Sequence, residues 1–152
     1  MGLWLGPVLA QNAAPAGITQ KTLGELETRN EQGGIVRYTL TPADHVVSGD
    51  RVVYTVEIHN GTAHPIESAV AISPIPERMS YLADSAAGPG CDIDFSVDGG
   101  VSFGKPQALT IKLPAGQTRP ATAADYTHIR WKMKFALQGG STAYARFRAI
   151  LK

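Results

Sequence analysis

His128-Ile129-Arg130-Trp131-Lys132-Met133-Lys134-Phe135-Ala136-Leu137 alternates polar and apolar residues. Ile129, Trp131, Met133, Phe135 and Leu137 fall on one side, and His128, Arg130, Lys132 and Lys134 on the other. A period of two belongs to a strand with one buried face and one wet face. Beyond it, Gln138-Gly139-Gly140 reads as a turn. Thr142 to Lys152 then returns with Ala143, Ala145, Phe147, Ala149 and Leu151 inward. The two strands are expected to pair as a hairpin.

The same period runs back toward the N-terminus. In Arg51 to His59 the residues Val52, Tyr54, Val56 and Ile58 form one face, and Asn60-Gly61 is a strong turn signal. Val36, Tyr38 and Leu40 are apolar at even positions, as are Ile66, Val70 and Ile72. Met79 to Leu82 is a short apolar piece. Cys91, Ile93, Phe95 and Val97 alternate with Asp92, Asp94 and Ser96, and Leu109, Ile111 and Leu113 alternate with Thr110 and Lys112. Sixteen glycines and ten prolines exceed average usage and supply the turns. The expected fold is all-β, an antiparallel β-sandwich of about 7–9 strands. Residues 35–152 form that domain. Residues 11–34 carry little alternation and are expected as a flexible N-terminal arm or tether. Residues 2–10 are a short apolar stretch, with small residues Val8 and Ala10 suited to a signal peptidase. They read as a secretory signal segment. No Lys or Arg precedes Lys21, so its basic start is missing and it reads as truncated.

The 152 residues suit one domain with an adequate core. Fourteen basic and thirteen acidic residues give a net charge of +1, which argues against a nucleic-acid partner. The chain has no apolar run long enough for a membrane span. A single cysteine, Cys91, excludes an internal disulfide and a multi-cysteine zinc site. It aligns with the apolar face and reads as buried.

Gly49-Asp50-Arg51-Val52-Val53-Tyr54-Thr55-Val56-Glu57-Ile58-His59-Asn60-Gly61-Thr62 resembles the signature strand of the bacterial "conserved repeat" surface domains. Ala69 to Tyr81 continues the likeness through an Ile-Pro corner at Ile75-Pro76. Ser73 stands where that family usually carries aspartate, and the chain holds a single copy. The resemblance implies an immunoglobulin-like sandwich. It also implies a bacterial, exported, non-enzymatic structural or adhesive module, either secreted, periplasmic or at the cell surface.

Several constellations bear on chemistry. Ser96-Val97-Asp98-Gly99-Gly100-Val101-Ser102-Phe103 matches the Asp-box pattern and resembles hairpins of secreted β proteins. Ser96, Asp98, Gly100 and Phe103 read as a structural turn, in which Asp98 accepts backbone N–H bonds. Asp92, Asp94 and Asp98 fail the calcium-loop spacing, since Val97 and Phe103 occupy its glycine and glutamate positions. His45, His59, His64 and His128 lack a ligand motif, so neither a metal nor a cofactor is expected. No nucleophile elbow, phosphate loop or zinc-protease helix motif is present, and the chain reads as non-enzymatic. Arg130, Lys132, Lys134, Arg146 and Arg148 would share one outer face if their strands form a hairpin. That basic ribbon is the candidate binding surface for an anionic protein or cell-surface partner. Two further roles are open: a docking module using this ribbon, or a filament subunit that donates residues 11–34 to a neighbour's sheet.

Overall fold

Ten strands build the structure, a computed structural model that describes residues 15–152. The N-terminal apolar stretch and Gln11–Ala14 lie outside the described residues. In chain order the strands are β1 (Ile18–Gln32), β2 (Ile35–Pro42), β3 (Arg51–Asn60), β4 (Val70–Pro74), β5 (Met79–Tyr81), β6 (Cys91–Ser96), β7 (Thr110–Lys112), β8 (Thr118–Pro120), β9 (His128–Met133) and β10 (Thr142–Leu151). One sheet has five strands in the order β2-β1-β3-β10-β5. The second has three, β4-β9-β6, and β7 and β8 form a small separate ribbon. All strand pairs are antiparallel. No described helix is long and apolar enough to cross a membrane.

The two larger sheets close over one core, so the fold is the β-sandwich that the alternation predicts. Val52, Val56 and Ile58 of β3 and Ala145, Phe147 and Ala149 of β10 line one wall. Ala71 of β4, Ile129, Trp131 and Met133 of β9 and Phe95 of β6 line the other. Trp131 reaches across to Phe147, with ring centroids 6.2 Å apart, and Tyr54 stacks on Phe147 at 4.9 Å. Gly88 lets Trp131 sit this deep, because a Cβ there would lie 2.7 Å from its ring.

Several expectations are corrected. Residues 18–32 are not a loose arm. Ile18–Glu27 pairs with β3, and Glu25–Gln32 pairs with β2. The segment is therefore used inside its own sheet and is not a spare donor strand. Its alternation is weak because the five-stranded sheet is wider than its three-stranded cover. The inward face of β1 meets only the edge of that cover, and Gln20 caps it: its Nε2 donates to the Ile72 carbonyl at 2.8 Å and its Oε1 accepts from Ile72 N at 3.3 Å. In β4 the inward residues are Ala71 and Ser73, while Val70 and Ile72 are only half-buried. Strand β9 stops at Met133, and Phe135 is exposed. Cys91 is half-buried. Burial, with Asp92 beside it, raises its thiol pKa, so the reactive thiolate is disfavoured.

The turn signal at Asn60-Gly61 marks a crossing between sheets, not a hairpin. The Asn60 side chain is fully buried. Its Nδ2 donates to the carbonyls of His64 and Leu137, each at 2.8 Å. Its Oδ1 accepts from Thr62 N at 2.9 Å and Thr62 Oγ1 at 2.7 Å. One side chain thus ties the end of β3 to both connecting arches. Gly139 packs into the same joint, where a Cβ would fall 2.6 Å from the Ala63 backbone.

Candidate functional site

The structure does not bring the five basic residues together. Strands β9 and β10 belong to different sheets, because the chain arches over the core between Met133 and Thr142. Arg130, Lys132 and Lys134 lie on the outside of the three-stranded sheet. Arg146 and Arg148 lie on the outside of the five-stranded sheet, across the sandwich.

Each set has its own anions. Strand β6 runs beside β9 with Asp92 opposite Lys132 and Asp94 opposite Arg130. The Asp94 side chain is 5% exposed and meets Arg130 Nη2, Lys132 Nζ and Lys105 Nζ, each at 2.9 Å. Lys134 reaches Asp92 at 3.2 Å. Phe103 lies against the Arg130 guanidinium at 4.4 Å, fixing its plane. Burial alone would raise the Asp94 carboxyl pKa. The hydrogen bonds from Arg130, Lys105 and Lys132 outweigh it and hold that carboxyl far below the usual range. On the opposite surface, Arg148 Nε donates to Glu27 Oε1 at 2.9 Å and Arg51 Nη1 to Glu27 Oε2 at 3.3 Å. The Glu27 side chain is 3% exposed. Of the expected ribbon, Arg130 and Arg148 are structural cations, each held by a buried carboxylate. Lys105 and Glu27, which complete these clusters, carry no motif in the sequence.

The turn after β6 assembles Ser96, Asp98 and Gly100. Ser96 Oγ donates to Asp98 Oδ1 at 2.7 Å and accepts from Gly100 N at 2.9 Å. Asp98 Oδ1 also accepts from Ser102 N at 2.9 Å, a partner the pattern leaves unassigned. Gly99 and Gly100 take φ of +76° and +85°. Hydrogen bonds from the Ser102 side chain and backbone and from Ser96 lower the Asp98 pKa to about 2. Asp125, gripped by Arg119 at 2.7 and 2.8 Å, is also held low.

These carboxyls predict the acid limb of stability. Their folded pKa values lie below the unfolded value of about 4, so protons bind first to the unfolded chain as pH falls. Burial also holds the His128 imidazole below its ordinary value, so stability is expected to slip as pH falls below about 6.5 and to drop steadily below about pH 4. Urea midpoints across that range check it, and a midpoint unchanged at pH 3 would contradict it.

Two other surface features remain. A cleft of about 450 Å³ opens between β5 and β6, beside the stacked Phe95 and Tyr126 rings. Alanines line much of it, and Thr122 is already committed to Asp125. The second feature is the β1–β2 hairpin. Strand β3 starts at Arg51, opposite Glu27, so Thr28–Gln32 has only β2 beside it. These five residues extend the hairpin about 17 Å past the sheet at 3.4 Å per residue. All eight residues of β2 are exposed. Ile35 is 59% exposed, Val36 39%, Tyr38 56% and Leu40 37%. The alternation of Val36, Tyr38 and Leu40 reads as a core face in the sequence, and the structure turns it to solvent at a sheet edge.

Among the described residues no group of three or more His, Cys, Asp or Glu gathers as for a metal ion. No family model, curated protein or solved structure matches this chain.

Proposed function

We propose that this chain is an exported, non-enzymatic interaction module of the cell envelope or extracellular space, and that it engages a protein partner through β2. The observation that carries the reading is the open edge: eight exposed residues, four of them large and apolar, on a strand paired on one side only. An added strand would gain main-chain hydrogen bonds along that edge and cover Val36, Tyr38 and Leu40 at alternate positions. Native edges are usually guarded by charge, proline or a bulge, and β2 carries only Arg37, on the face opposite its apolar residues, and Pro42 at its very end. The apolar residues 2–10 and the resemblance of residues 49–81 to surface domains support export. The basic face of the three-stranded sheet supports an anionic ligand less well, because Asp92 and Asp94 already hold its cations.

A photo-reactive phenylalanine analogue at position 38, compared with one at Lys112, tests the reading in the native host. Position 38 is expected to give discrete protein adducts that position 112 does not. Equal background at both positions would end it.

A further inference from the structure

We propose that the occupant of the β2 edge is a second copy of this chain, paired antiparallel through its own β2 about a two-fold axis at Tyr38. The proposal rests on the interaction-module reading and adds the identity of the partner and the register.

The turn decides which backbone groups are free. Gly33 and Gly34 have φ of +60° and +77°, a two-residue turn of the I′ kind. In such a hairpin the flanking pair, Gln32 and Ile35, is hydrogen-bonded, and the pairs then alternate. Ile35, Arg37 and Thr39 therefore spend their N–H and C=O groups on β1. Val36, Tyr38 and Leu40 aim theirs at the open edge. The three residues with free backbone groups are also three of the exposed apolar ones.

This edge is self-complementary. With Tyr38 on the two-fold axis, Tyr38 exchanges both backbone bonds with Tyr38 of the partner subunit. Val36 does so with Leu40 of the partner subunit, and the reverse pair follows by symmetry. The apolar side chains of both copies then meet on one face. On the other face Arg37 stands opposite the partner's Thr39, so the two Arg37 side chains are diagonal neighbours across the axis and not directly opposite. Each sandwich lies at the Pro42 end of its own β2. Antiparallel pairing therefore sends the two bodies to opposite ends of the shared ribbon, where they do not collide. Two eight-residue strands bury less than the roughly 1,200 Å² of a standard interface, so the dimer belongs to the transient, micromolar class.

Sedimentation of the full chain from micromolar to near-millimolar concentration tests this. The native chain is expected to shift from monomer to dimer, with Val36, Tyr38 and Leu40 amides exchanging more slowly as dimer forms. Tyr38→Lys and Tyr38→Glu each place like charges face to face at the axis. Each alone is expected to weaken self-association by about tenfold or more, and an equal mixture to restore it as a heterodimer. Any of three results overturns the proposal: a native chain that stays monomeric, variants that dimerise as before, or a mixture that stays monomeric. If a variant fails to fold, the exchange rates in the native chain decide alone, and edge amides indifferent to concentration count against it. An adduct at position 38 with a different protein, together with a monomeric native chain, would sink the self-pairing and leave the interaction-module reading standing.

Discussion

Asn60→Asp is expected to lower the unfolding free energy by about 3–5 kcal/mol near neutral pH, more than the about 2–4 kcal/mol expected for Asn60→Ala. The alanine variant leaves the His64 and Leu137 carbonyls without their donor and frees Thr62 from its acceptor. The aspartate is nearly isosteric and keeps the contact to Thr62. It does so by aiming a buried anionic oxygen at two carbonyl oxygens. Such a carboxyl has a folded pKa raised above its unfolded value, so its protonated form suits the folded state. Measured against the native chain at each pH, the loss is therefore largest at neutral pH and shrinks as pH falls toward about 5. Urea denaturation at pH 7 and pH 5 separates the two variants. A pH-independent loss in Asn60→Asp would mean that the arches relax around the new charge.

Asp94→Ala is expected to cost about 2–4 kcal/mol, with Asp94→Asn between it and the native chain. Three cations converge on this one carboxylate. Lys105 and Lys132 are about half exposed, at 51% and 43%, and can turn to water when it is removed. Arg130 is 19% exposed and held against Phe103, so it stays where it is, beside a missing anion. Because the remaining charge is positive, sulfate should recover more stability in Asp94→Ala than in the native chain. Denaturant midpoints with and without sulfate read both effects. A loss under 0.5 kcal/mol, in the range of exposed pairs, would show that the hub is solvated in practice.

The central strands were legible because they are covered. Val52 to Ile58 and Ala143 to Leu151 each face a second sheet, and packing there requires an apolar residue at every second position. Strand β1 left no such trace. Its inward face meets only the edge of the three-stranded sheet, where Gln20 bonds the Ile72 backbone, and Gly24 leaves room for the Tyr54 ring, which a Cβ would approach to 3.2 Å. Strand β2 misled in the opposite sense, since Val36, Tyr38 and Leu40 carry a core-like pattern on a surface that the domain itself does not cover. The basic ribbon failed at a different step. Alternation places Arg130 and Arg148 on outer faces, and both are there. It does not say whether Gln138-Gly139-Gly140 folds back within one sheet or arches to another, because glycine serves both. The arch is decided by packing of Gly139 on Ala63 and by the Leu137 carbonyl on Asn60, contacts between segments far apart in sequence.

The position of β10 has a consequence for the order in which the molecule forms. Strand β3 can join β1 early, since only β2 and its two connections lie between them in sequence, but its other neighbour pairs Tyr54 with Phe147. The main sheet therefore stays divided until a strand far downstream is inserted between β3 and β5, a non-local step that carries a large loop-closure cost. A chain still emerging from the ribosome would carry β3 with one bare side and half of the core wall absent. Acquisition of the fold should accordingly be late and abrupt, with little protected structure before residues 142–151 arrive.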